Sequence, residues 1–251
     1  MTSYKDFIDS LYLIADAGTH RWKEYLALIG ASYVFFLVIY ILMGAVVLPL
    51  LNPTFNKLPK PQLTSRERVD YIARVVAIIH ATLVTIFSYY GMFHMCDANF
   101  FTSETCRHTP KVFHVLSAIF TIGYLLQDLI VITLFKHDNT TLTYQTYAHH
   151  YAGIIAFYFS LVLRPLGSPI LLGAIANQFT EISTPFMNIR QLLYYHKAND
   201  SILGTINSLF FAGTFFFCRL LFQAYFFYCS LPWLFNEWSL RVHSTNYLLW
   251  E

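Results

Sequence analysis

The sequence predicts an all-α fold, a polytopic bundle of about six transmembrane helices preceded by a short interfacial helix. Three observations carry that expectation. Of the 251 residues, 56% are hydrophobic and only 12% are charged, against roughly a quarter charged in an average soluble domain. The mean hydropathy is +0.48, and the apolar residues gather in uncharged runs near or above the ~20 residues that a bilayer requires. Phenylalanine and tyrosine number 24 and 18, an abundance suited to lipid-facing bulk and interfacial belts. The formal net charge is +2 with no basic cluster, which argues against a nucleic-acid partner.

The first segment, residues 1–24, spaces Phe7, Ile8, Leu11, Tyr12 and Ile14 between charges and ends in Arg21, Trp22 and Lys23. That pattern suits a helix lying in the membrane interface. Asp6, Asp9 and Asp16 interrupt the apolar residues, so the segment does not read as a cleavable signal. A transmembrane domain at 25–230 follows, with spans expected at 25–51, 69–92, 113–135, 145–164, 169–195 and 203–230, and a tail at 231–251. The first loop holds Pro53, Pro59 and Pro61 and is not helical throughout. Arg164 to Pro169 forms a tight turn, which makes the fourth and fifth spans antiparallel neighbours. Lysine and arginine divide almost evenly between the two sides, although the dense group at 57–68 leans toward a cytoplasmic first loop.

Cys218 and Cys229 sit in an apolar helix and read as inert small hydrophobes. Cys96 and Cys106 flank one loop and can pair if it faces an oxidising lumen. The sequons at Asn139 and Asn199 lie on the opposite side in very short loops, so they read as chance occurrences.

The most informative stretch is Thr180 to Arg190, and much of the rest of the chain reads as helices packed around it. Asn177, Glu181, Thr184 and Asn188 follow at steps of four, three and four, so they share one helix face. Pro185 lies four residues after Glu181, where it removes a helix hydrogen bond and introduces a kink. Such a face belongs against protein or a polar cavity rather than acyl chains. Other spans carry Arg74 and His80, Gln127 and Asp128, His149 and His150, and Arg219 and Gln223. Arg74 and Arg219 offset Asp128 and Glu181, either as structural ion pairs or around a functional cavity. Arg74 lies near the start of its span, where a long side chain can snorkel to the headgroups. Glu181 is expected to pair with Arg219 or Arg74.

Adjacent histidines point about 100° apart on a helix, so at most one of His149 and His150 aims at the bundle interior. Neighbouring positions do not converge, and no metal site is expected there. As a general base, one of them oriented by Asp128 or Glu181 is chemically sensible. With no Gly-rich phosphate loop, GxSxG elbow or HExxH motif present, any chemistry has to come from this polar set.

Three strings together resemble the TLC-domain family, which includes the ceramide synthases and the translocating-chain-associating membrane protein. They are Tyr124-Leu-Leu-Gln-Asp128, then His149-His150, then Glu181-Ile-Ser-Thr-Pro-Phe-Met-Asn-Ile-Arg190, in the family's order and spacing. The chain is most similar to the small six-span TLC-domain-containing proteins. The resemblance implies a lipid-accessible cavity in the endoplasmic reticulum or a related membrane, with another organelle such as the mitochondrion as the alternative. In ceramide synthases the histidine pair serves acyl transfer from acyl-CoA to a sphingoid amine, and a histidine-aspartate stretch follows it. That stretch is absent here, and Glu181 with the STPFxN string stands in its helix.

The expected function is therefore to bind lipid acyl chains and influence membrane lipid composition without catalysis. Glu181, Asn177, Thr184, Asn188 and Arg219 are the candidate polar lining, and Asp128 and His150 also face the headgroup. A bound phospholipid or sphingolipid is expected, and no cofactor is required. The alternative is an acyl-CoA-dependent N-acyltransferase with His149, His150 and Asp128 as catalytic residues. A third reading is a lipid-binding subunit of a larger membrane assembly.

Overall fold

Each helix starts and stops where the local chemistry allows it. The computed structural model describes residues 22–47, 63–96, 111–136, 140–162 and 167–231. Within these, α1 runs Trp22–Leu42 and ends in a π-helical turn, Met43–Val47. Helix α2, Ser65–Phe93, opens on a reciprocal cap. The Thr64 hydroxyl accepts from the Glu67 amide at 3.3 Å, and the Glu67 carboxylate accepts from the Thr64 amide at 2.8 Å. Helix α3, Val112–Val131, passes into a π turn at Ile132–Lys136, and α4 covers Thr141–Val162.

Helix α5, Gly167–Phe179, is joined to α6, Thr184–Tyr195, through a 3-10 turn at Thr180–Ser183. The last rod begins as α7, Ile202–Thr214, unwinds into π turns at Phe215–Phe222 and continues to Leu231. Its cap is Ser201, whose hydroxyl accepts from the Gly204 amide at 3.2 Å. That role gives the serine of the second sequon a structural reason to be there.

The helical rods coincide with the expected spans to within a few residues at the ends described. Four of them (the rods of α1, α2, α3 and α7) are long and apolar enough to cross a membrane. The other two fall short of that measure for a physical reason. Helix α4 carries Gln145, His149 and His150, and the rod of α5 and α6 is broken in the middle. The interfacial segment before residue 22, the first loop at 48–62, Cys106, the 163–166 turn and the tail beyond 231 lie outside the described residues. Cys96 is disulfide-bonded, while Cys218 and Cys229 are free.

The expectation that the bundle packs around Thr180–Arg190 needs correction. Helix α3 is the centre: 15 of its 20 residues are buried, against three of the 12 in Thr184–Tyr195. It packs against α1, α2, α4 and α5, whereas the last rod touches mainly α6 and the 3-10 turn. Association inside lipid relies on close van der Waals packing, because acyl chains are as apolar as the side chains they meet. Small residues supply the close approaches. A Cβ built on Gly123 falls 2.7 Å from the Tyr33 amide nitrogen and onto the Ser32 side chain. Tyr25, Ile29, Ile119, Ile122, Leu171 and Ile175 fill the interior of the main core.

Gly123→Ala is expected to force α1 away from α3 and to destabilise the bundle by about 1–3 kcal/mol. Gly30→Ala, where a Cβ meets nothing within 4 Å, should leave stability unchanged or slightly raised. Thermal unfolding of both variants in detergent micelles checks the contrast.

Candidate functional site

Between α2, α3, α4, the broken fifth rod and the last rod lies a cavity of ≈ 730 Å³. The eight residues put forward from the sequence as catalytic or lipid-binding candidates line it: Asp128, His149, His150, Asn177, Glu181, Thr184, Asn188 and Arg219. The volume is within the range of small-molecule pockets, roughly 300–1,000 Å³.

The wall is shaped by Pro185. It has no N–H to offer the Glu181 carbonyl, so no α-helical bond can form there. The Thr184 amide takes that carbonyl instead, which tightens Thr180–Ser183 into 3-10 geometry. The Thr184 hydroxyl donates to Glu181 Oε2 at 2.5 Å. From the facing π turn, Arg219 donates through Nε to Ser183 Oγ at 2.9 Å and through Nη2 to Thr184 Oγ1 at 3.1 Å. Its contact with Glu181 Oε1 is longer, 3.5 Å. Glu181 therefore pairs with Arg219, across a bridge of hydroxyls.

The two histidines part company as helix geometry requires. His150 is buried and His149 is exposed, and both line the cavity. His150 Nδ1 lies 2.8 Å from the Thr146 carbonyl. A carbonyl only accepts, so this nitrogen carries the hydrogen. Nε2 lies 2.9 Å from Asp128 Oδ2, and that contact needs one proton between the two groups. The pair is either imidazolium and carboxylate or imidazole and carboxylic acid, and both ring nitrogens are engaged by protein.

Two further networks were only partly legible from the sequence. Arg74 turns inward rather than snorkelling, because Asp70 sits one turn earlier and binds it at 2.5 Å. Arg74 also donates to Asn188 Oδ1 at 3.2 Å, and the Tyr195 hydroxyl donates to Asp70 at 2.8 Å. Deeper in, Gln178 donates to Thr121 Oγ1 at 2.5 Å and to the Ser117 carbonyl at 3.2 Å, while the Ser117 hydroxyl donates to Gln178 Oε1. His80 meets Thr121 at 3.3 Å and stacks on Tyr124 with centroids 4.0 Å apart.

Asp70, Thr121, Gln178 and Tyr195 are individually ordinary residues, and only the i,i+4 spacing of Asp70 and Arg74 announces a pair. Gln127 and Gln223 do not belong to the cavity lining. Gln127 is buried with neither side-chain polar atom hydrogen-bonded among the described residues, and the same holds for Gln223 Oε1.

An apolar helical bundle enclosing a polar cavity defines an integral, multi-pass membrane protein. The TLC-domain family model matches residues 70–250, and the chain belongs to that family. Human TLC domain-containing protein 4 is similar at 29% identity over 178 residues, which is 67% of this chain and 59% of the human protein. The chain thus spans about three fifths of the length of that relative. No solved structure matches it.

Asp128→Ala should leave the buried His150 Nε2 without its partner, at a cost of about 3–5 kcal/mol. Asp128→Asn, which can still accept or donate at that position, should cost less. Denaturant unfolding in micelles measures both, and equal losses would discount the shared-proton contact.

Proposed function

We propose that the cavity holds the polar end of a membrane lipid while adjoining apolar faces hold its chains, and that the protein thereby influences membrane lipid composition without catalysing a reaction. The observation that carries this reading is the composition of the wall. Arg74, Asp128, Glu181 and Arg219 stand beside Val69, Ala77, Leu125 and Phe157 in one enclosure. A largely apolar cavity with a few charged side chains in its wall complements an amphiphile better than a sugar or a wholly apolar molecule. The endoplasmic reticulum or a related membrane is the compartment this reading favours. Membership in the TLC-domain family supports it.

The test is native mass spectrometry of the full chain released from membranes into mild detergent. Lipid should be retained in stoichiometric amount, and Ala77→Trp, which fills the cavity, should lose it while keeping its helical circular dichroism. Absence of lipid from the native chain, or retention by Ala77→Trp, would sink the proposal.

One observation favours a second reading, an acyl-CoA-dependent N-acyltransferase. His149 stands exposed at the cavity wall beside the sealed His150–Asp128 pair, and an accessible imidazole is the kind of proton acceptor that general-base catalysis uses. With both His150 nitrogens engaged, His149 is the imidazole left to meet a substrate. Transfer from labelled acyl-CoA to a long-chain amine should then disappear in His149→Ala/His150→Ala. Activity that survives the double substitution removes the pair from the mechanism.

A further inference from the structure

Three charged pairs line the cavity among the described residues, and they are not alike. Arg74 and Asp70 meet at 2.5 Å, with side chains 22% and 13% exposed. His150 and Asp128 meet at 2.9 Å and are 7% and 10% exposed. Arg219 and Glu181 stand 3.5 Å apart at 35% and 23% exposure. The first two pairs are closed: Tyr195 and Asn188 occupy the first further, and the Thr146 carbonyl takes the other ring nitrogen of His150. The third is open.

Each member of the open pair is held in place by a neutral hydroxyl rather than by its opposite charge. The Thr184 hydroxyl donates to Glu181 Oε2 and accepts from Arg219 Nη2, and Ser183 accepts from Arg219 Nε. Arg219 Nη1 takes part in none of these bonds. The backbone adds an independent sign. The 3-10 turn Thr180–Ser183 and the π turns Phe215–Phe222 pack against each other here. Departures from α geometry of this kind concentrate at functional positions.

We propose that Glu181 and Arg219 form the headgroup-reading site, and that they select a phospholipid with a zwitterionic head, its phosphate toward Arg219 and its ammonium toward Glu181. The inference rests on the lipid-binding reading above. A net-anionic head meets Arg219 with its phosphate but brings no ammonium to answer the Glu181 carboxylate beside it. A purely cationic amphiphile meets the same difficulty at Arg219. A zwitterion answers both groups, exchanging one long ion pair for a charge-assisted hydrogen bond between Arg219 and the phosphate and an ammonium–carboxylate contact at Glu181. Selectivity arises from the repulsion each side chain offers to the wrong head as much as from attraction to the right one. The closed pairs contribute no uncompensated charge of either sign.

The experiment reconstitutes the full chain in vesicles of equimolar phosphatidylcholine and phosphatidylglycerol with identical chains. A parallel set combines phosphatidylcholine with a long-chain amine. Both are kept at the same pH and ionic strength, so that the histidines beside the site carry the same charge in each. After extraction into mild detergent, native mass spectrometry counts the retained lipid. The native chain should favour phosphatidylcholine over phosphatidylglycerol by about tenfold, the effect of a single charged contact.

Glu181→Gln should move that ratio toward phosphatidylglycerol, and Arg219→Gln should raise retention of the amine. The two substitutions thus act in opposite directions, which a general loosening of the bundle would not produce. If either fails to fold, Thr184→Val removes the hydroxyl that positions both groups and should flatten the preference. Lipid retained at the same ratio in the native chain and in the folded variants overturns the zwitterion assignment while the lipid-binding reading stands. A native chain that retains no lipid overturns both.

Discussion

Lipid offers no hydrogen bonds, so the interior polar groups of this bundle look to other protein groups to answer them. Nowhere is the dependence stronger than at the Glu181 carbonyl, which Pro185 deprives of its α-helical donor. The backbone recovers by tightening to a 3-10 turn with the Thr184 amide. That turn presents Glu181, Ser183 and Thr184 together toward the last rod. Arg219 meets them from a stretch unwound in the opposite sense. One missing N–H thus leads to an irregular wall, and the wall carries the open pair of charges.

The remaining polar contacts hold helices in register. Gln178 ties α5 to two residues of α3, while Asp70 and Arg74 tie α2 to α6. His114 belongs to the same class. It accepts the Lys111 amide at Nδ1 and contacts the Gly91 carbonyl through Nε2, which fixes a neutral tautomer. Such contacts add little net energy against a membrane reference state, where unfolded helices also find partners. Their geometric demands matter more, because a helix shifted by one residue would lose several of them at once. Close packing at Gly123 imposes the same restriction on α1 against α3.

The cavity is consequently uneven in what it can do. His150 and Asp128 are a sealed pair sharing a proton, with no free ring nitrogen to offer a ligand. His149, one residue earlier, has the opposite character: exposed and facing the cavity lining. Glu181 and Arg219 combine charge, partial exposure and positioning by neutral groups. This division of labour separates the family-like histidine pair from the part of the wall best suited to recognising a head. It also places the polar work on the helices that hydropathy ranks lowest.

By itself the sequence determined that the chain is a multi-pass helical bundle, roughly where its rods lie, and which polar residues lipid would not tolerate. Those properties follow from local composition, 3.6-residue periodicity and proline chemistry, and the eight residues put forward as site candidates border one cavity, whereas Gln127 and Gln223 do not. Tertiary structure decided the partnerships. Arg74 found a carboxylate one turn away instead of the headgroups, Gln127 fell on a buried face of α3 outside the cavity, and α3 rather than the Thr180–Arg190 helix became the centre. Hydropathy cannot separate these outcomes, because a side chain's surroundings depend on which neighbouring helix rotates to meet it. The stretch around Glu181 announced its cost in the sequence, but only the approach of Arg219 from thirty-odd residues away fixed how that cost is met.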